Sequence, residues 1–340
     1  MQVTQIFRLN PTIWLERTGL FPFNRLRPLL RPILANRTVQ AVLRDPLDAL
    51  AQHGNRPLSF LAQKLKALRR RRRLRALESA GRPLVSVIVP AHNAANTVVG
   101  ALKSLTGQNY GRLEIVVVDD KSTDETAALV SDLSVGDPRI RLLRAERQLG
   151  AAGARNLGLA AARGDFITFQ DADDRSRQDR IERQLFLVVQ NRRFLASLCA
   201  YVRVDPEGQP LFVNDQLYRK RTVSLLFRRD PVLQRLGGMA PLQRGEDSEY
   251  LARFTAAFGR SAQRFLPAPL YEAHFSSDSL LWRDTEVRRQ GNRIYYPAGE
   301  TAQEALDRYR DWHRQIAAGK ADAYLPLPKS PERDDPRGTA

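Results

Sequence analysis

The chain has 340 residues, 43% of them hydrophobic, so it is long enough for one large domain or two ordinary domains around a buried core. Its single cysteine, Cys199, excludes an intramolecular disulfide and any zinc site built from several cysteines. A formal net charge of +17 suits anionic partners such as nucleic acid, acidic lipid or phosphorylated substrates.

Residues 1–83 carry most of the excess positive charge and form a basic N-terminal extension. From Leu58 to Leu77, leucines at helical spacing beside the run Arg69 to Arg73 predict an amphipathic basic helix. Packing on the following domain and binding to an anionic membrane surface are equally compatible with it. With no apolar run of roughly 18 residues and no signal-peptide layout, we expect a cytoplasmic protein. The membrane interpretation would place it at the inner face of the cell membrane.

From Leu84 onward, short β-branched runs alternate with helical patterns, which predicts an α/β fold whose sheet is built from βα units. The expected strands are residues 84–89, 113–118, 140–143 and 166–169, and the expected helices are residues 95–105, 125–133, 151–162 and 180–190. This order places acidic residues at the carboxyl ends of two strands, the edge where open α/β sheets bind ligands.

The second half of the chain has weaker patterns. A hairpin is predicted around Asp205 to Gly208 and a helix beginning near Glu246. The tail, 326–340, is rich in proline and charge and is predicted to be disordered. The sequence thus predicts four segments, 1–83, 84–190, 191–325 and 326–340.

Two acidic clusters follow the predicted strands, Asp119-Asp120 and Asp171-Ala172-Asp173-Asp174. Crowded carboxylates repel each other unless a cation or a hydrogen-bond donor offsets the repulsion. Hard divalent ions such as Mg²⁺ or Mn²⁺ prefer oxygen ligands, so a metal is one natural partner. An Asp-x-Asp alone also occurs in turns, and by itself it leaves open a loop with helix-capping acids.

Four motifs stand in one order along the chain: Val85 to Asn93, Ile115 to Asp124, Gly150 to Gly158 and Gly164 to Asp174. Together they resemble the family 2 glycosyltransferases, which are inverting, nucleotide-sugar-dependent enzymes of GT-A fold. The resemblance covers residues 84–174 and a later block. It implies a Rossmann-like, mostly parallel sheet flanked by helices, in which 84–190 binds the nucleotide sugar and 191–325 binds the acceptor and supplies the catalytic base.

The resemblance implies a nucleotide site after the first two strands. Pro90, Ala91 and Asn93 match the turn that cradles the base, and Asp120 matches the acid that hydrogen-bonds it. Ser122 also fits a capping box for the next helix, so we expect that hydroxyl to be structural.

The same resemblance implies a metal site at the Asp-x-Asp motif. Asp171 would face the ribose and the metal, Asp173 would be the main metal ligand, and the role of Asp174 is left open. Arg155 resembles the family's arginine near the nucleotide or diphosphate. A salt bridge that tethers the acidic strand ends is an equal alternative for Arg155.

A second block, Leu236 to Met239 followed by Arg244 to Asp247, is similar to the family's Gly-Gly and Glu-Asp elements. There Asp247 would be the catalytic base, and a helix amino terminus favours an ionised carboxylate. Ordinary first-turn acids are the alternative. The stretch Tyr271 to His274 resembles the closing element, which makes His274 a minor candidate near the metal or diphosphate.

Three positions depart from the family pattern. Lys121 stands in place of the usual glycine and His92 in place of the usual tyrosine, which affects how the base would stack. Glu272 occupies the place of the usual arginine, which affects how the closing segment would meet the diphosphate.

The sequence therefore predicts an inverting, metal-dependent glycosyltransferase that uses Mn²⁺ or Mg²⁺. A UDP-sugar is the expected donor, GDP- and dTDP-sugars stay open, and a glycan or lipid-linked molecule in polysaccharide or glycolipid assembly is the expected acceptor. A basic nucleic-acid-binding protein is one alternative, but it leaves the ordered acidic motifs unexplained and its arginine run has no interleaved aromatics. We therefore expect no nucleic-acid partner. A nucleotidyltransferase is the other alternative, although such enzymes usually carry a Gly-rich loop after the first strand.

Overall fold

The computed structural model describes residues 56–216, 218–220, 222–275, 288–295 and 300–329. The helices in these parts of the chain are α1 Arg56–Ser79, α2 Val98–Thr106, α3 Thr126–Gly136, α4 Gly150–Ala161, α5 Arg180–Val189, α6 Arg229–Leu236, α7 Glu246–Phe258 and α8 Glu300–Ala317. The strands are β1 Val85–Ala91, β2 Leu113–Asp119, β3 Ile140–Arg144, β4 Phe166–Phe169, β5 Arg175–Ser176, β6 Ala196–Val204, β7 Pro210–Val213, β8 Tyr218–Lys220, β9 Leu226–Arg228, β10 Gln263–His274, β11 Arg288–Gln290 and β12 Arg293–Tyr295.

The strands form one sheet in the order β11-β12-β7-β6-β9-β4-β1-β2-β3, with β10 beside β6 and β5 paired to β10. The part that carries the acidic motifs is parallel, because β1 pairs in parallel with both β2 and β4, and β2 with β3. Strand β9 then joins β4 to β6 through antiparallel pairing. The predicted α/β fold, with a mostly parallel central sheet flanked by helices, is confirmed.

Strands β1, β2 and β4 are buried on both faces, which explains their β-branched runs. On β1, Val87 and Val89 pack in one apolar cluster with residues of α2, while Ile88 points to the other face and packs with Leu159 of α4. Gly158 lets α4 lie directly on the sheet, because a Cβ there would come within 2.4 Å of Ile88. Helix α4 is thereby fixed behind the strand ends that carry the candidate site.

The predicted βα elements are confirmed, with shifts at their ends. Helix α2 starts at Val98 instead of residue 95, because the N–H groups of Ala94 and Ala95 bond to side chains of Thr126 and Asp124 in the next loop. The capping box predicted for α3 is not formed. Asp124 Oδ1 accepts the Thr126 N–H at 3.0 Å instead.

The second half is more regular than its sequence pattern indicated. The predicted hairpin is confirmed, since β6 pairs antiparallel with β7 and Gly208 turns with a φ of +75°. The sequence patterns missed β6 and β10, which pair in parallel over most of their length. Strand β10 contains Pro267 and Pro269, and its register shifts around Pro269, so it lacks a regular strand pattern.

The chain after α8 packs against the Gly-Gly segment. The buried guanidinium of Arg253 donates to the carbonyls of Leu236, Gly238 and Ala323. Gly237 has a φ of +61°, and a Cβ there would lie 1.8 Å from the Leu325 carbonyl oxygen, so only glycine fits.

Of the tail predicted to be disordered, residues 326–329 are described, and the rest lies outside the described residues.

The chain divides into two compact units at Arg75 and Ala76, within α1. In the first unit, the predicted basic helix is confirmed as a helix, with exposed side chains from residue 63 to residue 72. In the second unit, Leu77 is buried. None of the described helices is long and apolar enough to cross a membrane. The four-segment division of the chain stays a prediction.

Candidate active site

Three carboxylates cluster in the loop after β4. Asp171, Asp173 and Asp174 each offer an oxygen within 4.8 Å of the others. Asp174 is buried, and the other two are half-buried. Three carboxylate oxygens at this spacing fit a hard divalent cation, which would also offset their mutual repulsion.

Strand β10 fixes the backbone of this loop. The Asp171 N–H donates to the Tyr271 hydroxyl at 3.0 Å, and the His274 N–H donates to Asp174 Oδ1 at 2.9 Å. The buried Tyr271 ring lies 5.0 Å from the guanidinium of Arg180, which itself donates to the Phe169 carbonyl at 2.9 Å. His274 therefore lies beside the acidic cluster, and its buried Nδ1 has no hydrogen-bond partner among the described residues.

Arg155 of α4 joins the acidic cluster to the second motif block. Its Nη2 lies 2.6 Å from Asp171 Oδ1, and its Nη1 donates to Glu246 at the start of α7. Burial opposes the charge on this guanidinium, but Glu246 and Asp171 raise the pKa of Arg155 above its ordinary value. The sequence left two roles open for Arg155, a contact to the nucleotide or diphosphate and a salt bridge between acidic segments. The contacts in the described residues are those of the salt bridge.

The two acids at the start of α7 lie in different surroundings. Glu246 is only 6% exposed, and burial raises the pKa of its carboxyl while Arg155 opposes that rise. Asp247 is half-buried and accepts hydrogen bonds from the Thr222 hydroxyl and, at 2.7 Å, from the Ser248 N–H. Glu246 is thus committed to the ion pair with Arg155, whereas Asp247 is the more accessible of the two.

The loops after β1 and β2 are tied together where a nucleotide is expected. Pro90 and Ala91 end β1, and the Ala91 carbonyl accepts the Asp120 N–H at 2.8 Å. Asn93, with a φ of +49°, accepts the Thr123 N–H at 2.8 Å through its side chain. His92 Nδ1 lies 2.8 Å from the Asp120 carbonyl oxygen, so this departure from the family pattern is part of the same loop contact.

Asp119 and Asp120 differ in their hydrogen bonds. Both carboxylate oxygens of Asp120 accept backbone N–H groups at the start of α4, from Leu149 at 2.6 Å and Gly150 at 2.8 Å. Asp119 is 5% exposed, and its Oδ1 is buried with no hydrogen-bond partner in the described residues. The sequence patterns gave no reason to prefer Asp119, because the alternation of side chains along β2 ends at this point.

The structure brings Asp171, Asp173, Asp174, Arg155 and Glu246 together by direct contact or close approach. Asp120 and Asn93 lie in the neighbouring loops.

The sequence analysis gave no role to Asn156. Its side chain exchanges two hydrogen bonds with the Met239 backbone, at 3.0 and 2.7 Å, and so ties α4 to the Gly-Gly segment, Leu236 to Met239. Its position next to Arg155 in the sequence is the one feature that could have pointed to it.

Residues 86–245 match the family model described as Glycosyl transferase family 2. The succinoglycan biosynthesis protein ExoO of Rhizobium meliloti (strain 1021) is 46% identical over 103 residues, which are 30% of this chain and 29% of that protein. The UDP-Glc:alpha-D-GlcNAc-diphosphoundecaprenol beta-1,3-glucosyltransferase WfgD of Escherichia coli is 42% identical over 108 residues, 32% of this chain and 42% of that protein.

Among solved structures, the chain is similar to S. aureus TarS 1-349 in complex with UDP-GlcNAc, with 20% identity and a TM-score of 0.48 over 69% of this chain and 71% of that chain. The chain spans about half or less of the length of the curated relatives it matches.

Proposed function

Because residues 86–245 form a domain of glycosyl transferase family 2, we propose that the protein transfers a sugar from a nucleotide sugar to an acceptor hydroxyl with inversion at the anomeric carbon. The observation that supports this proposal most is the position of Arg155. It contacts Asp171 in the acidic cluster and Glu246, the residue before Asp247, at the same time. The proposed donor site and the proposed base would thereby be held next to each other. The family match favours this function over the nucleotidyltransferase and nucleic-acid-binding alternatives.

Asp173 and Asp171 are the proposed ligands of a divalent ion, Mn²⁺ or Mg²⁺. When bound, such an ion supplies Lewis-acid stabilisation of the negative charge on the departing diphosphate. Tyr271 and His274 hold the loop that carries these ligands, through the Asp171 N–H and the Asp174 carboxylate. One carboxylate oxygen of Asp174 accepts the His274 N–H, and we propose that this contact is the main role of Asp174.

Asp247 is the proposed general base. It lies in the first turn of α7 and is more accessible than the neighbouring Glu246. An attacking hydroxyl would give its proton to this carboxylate as it bonds to the anomeric carbon, and the bond from that carbon to the diphosphate oxygen would break on the opposite side. The single displacement inverts the configuration.

The donor and acceptor proposals rest on the relatives. WfgD is by name a transferase from UDP-Glc to a diphosphoundecaprenol-linked GlcNAc, and ExoO is by name a succinoglycan biosynthesis protein. We therefore propose a UDP-sugar as donor and a glycan or lipid-linked acceptor in polysaccharide or glycolipid assembly. Pro90, Ala91 and Asn93 would cradle the base between the first two loops.

The metal assignment is tested by thermal unfolding with UDP-, GDP- and dTDP-sugars in the presence and absence of Mn²⁺. A ligand that binds the folded state raises the unfolding temperature by mass action, so we expect the UDP-sugars to do so and Mn²⁺ to increase the effect. Asp173→Ala should weaken Mn²⁺-dependent nucleotide binding by more than the roughly 10- to 100-fold that outer contacts to a metal site contribute.

Asp174→Asn is the matched control, since an amide oxygen can still accept the His274 N–H. It should keep most of the Mn²⁺ effect. Equal metal dependence in the wild type and Asp173→Ala would refute the ligand assignment. If no nucleotide sugar stabilises the wild type under any condition, the proposed donor class itself is wrong.

Asp119 and Asp120 make a second pair of matched variants. The buried, unpartnered Asp119 Oδ1 is the better candidate to accept the imide N–H of the base, while Asp120 holds the start of α4. Asp119→Ala should weaken UDP binding by roughly 10- to 100-fold, the range for a hydrogen bond to a charged group. Asp120→Ala should mainly lower the free energy of unfolding, by about 0.5–2 kcal/mol, as the loss of a helix cap does.

Calorimetry with UDP and chemical denaturation of both variants measure these two effects. The reverse result, with UDP affinity lost in Asp120→Ala and kept in Asp119→Ala, would return the base contact to Asp120.

A further inference from the structure

One face of α1 exposes leucines among arginines. Leu65, Leu68, Arg72 and Arg75 lie at positions i, i+3, i+7 and i+10 and so share a face, and Arg69 flanks it. All five are exposed, Leu65 by 39% and Leu68 by 59% of its surface. We call these five residues the leucine-arginine face.

The two leucines of this face lie one helical turn apart, at positions i and i+3. Together they form a small apolar stripe on a segment whose other exposed side chains are mostly basic.

The charge around the face has one sign. Between Gln63 and Arg75 the sequence has eight basic residues and no acidic residue. Such a segment attracts anionic surfaces, and the attraction weakens with salt.

We propose that the leucine-arginine face docks the protein on an anionic lipid surface. Leucine side chains can enter the boundary between headgroups and acyl chains, while arginines extend their guanidinium groups to the lipid phosphates. A nucleic-acid backbone would leave the two leucines without apolar partners, and the segment from Gln63 to Arg75 has no aromatic side chain to stack on bases. The combination of leucines and arginines on one face therefore favours lipid.

This docking goes beyond the proposed sugar transfer and does not depend on it. Vesicle binding can be measured without donor, metal or acceptor. A negative result in the membrane experiment would leave the donor-binding experiments unaffected, and the reverse also holds.

The test is flotation of the full chain with vesicles of phosphatidylcholine alone or of equal parts phosphatidylcholine and phosphatidylglycerol, at low and high salt. We expect binding to the anionic vesicles only, and weaker binding at high salt. The triple variant Arg69→Gln, Arg72→Gln, Arg75→Gln should lose on the order of 10²-fold in vesicle affinity, because each basic residue near such a surface contributes about a factor of five. Leu68→Gln should weaken the binding that persists at high salt.

The matched control removes the same charge elsewhere. Arg192, Arg193 and Arg260 are exposed and lie outside α1 and the candidate active site, so their triple replacement by Gln should change vesicle binding little. Thermal unfolding of every variant checks that it is folded. The proposal is overturned if the wild type stays with the unbound fraction at low salt, if the control triple loses as much as the α1 triple, or if duplex DNA displaces the protein from vesicles and Leu68→Gln has no effect.

Discussion

Asp247→Asn is expected to lower the rate of sugar transfer by on the order of 10²- to 10⁴-fold, the usual contribution of a positioned general base. An alcohol is a poor nucleophile while it keeps its proton, and an amide cannot take that proton. Asn is nearly isosteric with Asp, and its oxygen can accept the Ser248 N–H while its NH2 group donates to the Thr222 hydroxyl. The folded structure and the affinity for nucleotide and Mn²⁺ should therefore stay close to those of the wild type.

The measurement is the transfer rate of the variant beside its UDP affinity by calorimetry. Thr222→Val is the matched control, since it removes the hydroxyl that contacts Asp247 and leaves the carboxylate, and it should cost far less in rate. Near-normal transfer by Asp247→Asn together with an inactive Glu246→Gln would place the base one residue earlier. If both variants keep transfer, the acids at the start of α7 serve the helix alone and the base lies elsewhere.

Arg155→Met should have the largest effect on stability, a loss of about 3–5 kcal/mol in the free energy of unfolding. Removing one partner of a buried ion pair leaves the other charge uncompensated. Arg155 is buried between Asp171 and Glu246, and the Glu246 side chain is only 8% exposed. Methionine fills a similar volume without the charge, so the loss measures the ion pairs more than a cavity.

Chemical denaturation of Arg155→Met, Glu246→Gln and the double variant forms a thermodynamic cycle for this contact. Glu246→Gln in the Arg155→Met background should restore part of the lost stability, because the buried Glu246 carboxylate is then no longer left without its partner. A loss below about 1 kcal/mol in Arg155→Met, within the range of surface ion pairs, would contradict the tether. Additive effects of the two changes would show that Arg155 and Glu246 do not act on each other.

The tether also links the two halves of the proposed mechanism. Asp171 belongs to the acidic cluster that we propose binds the metal, and one of its oxygens accepts a hydrogen bond from Arg155. Glu246, the other partner of Arg155, directly precedes the proposed base. A change at Arg155 should therefore alter metal-dependent nucleotide binding and transfer together. Such a joint effect separates Arg155→Met from Asp247→Asn, which should reduce transfer alone.

The strands and helices in the first half of the fold, and the positions of the acidic motifs, can be predicted from the amino-acid sequence alone. Strands β1, β2 and β4 are continuous β-branched runs, which are typical of parallel strands buried on both faces, and each is followed by a polar loop. Since the carboxyl ends of parallel strands meet at one edge, the sequence could place Asp120 and Asp171 near each other. These are local patterns, and local patterns are what a single sequence displays.

The different functions of the individual acids follow from contacts that form only in the folded chain. Asp119 and Asp120 are adjacent and chemically identical, yet one caps α4 and the other keeps a buried oxygen without a partner in the described residues. Arg155 and Glu246 are 91 positions apart, so no local pattern could pair them. Strand β10, which holds the Asp171 loop through Tyr271, is irregular in sequence because its prolines and register shift hide its period. Hydrogen bonds between distant segments depend on how the chain folds back on itself, and the spacing of residues along the sequence does not contain that information.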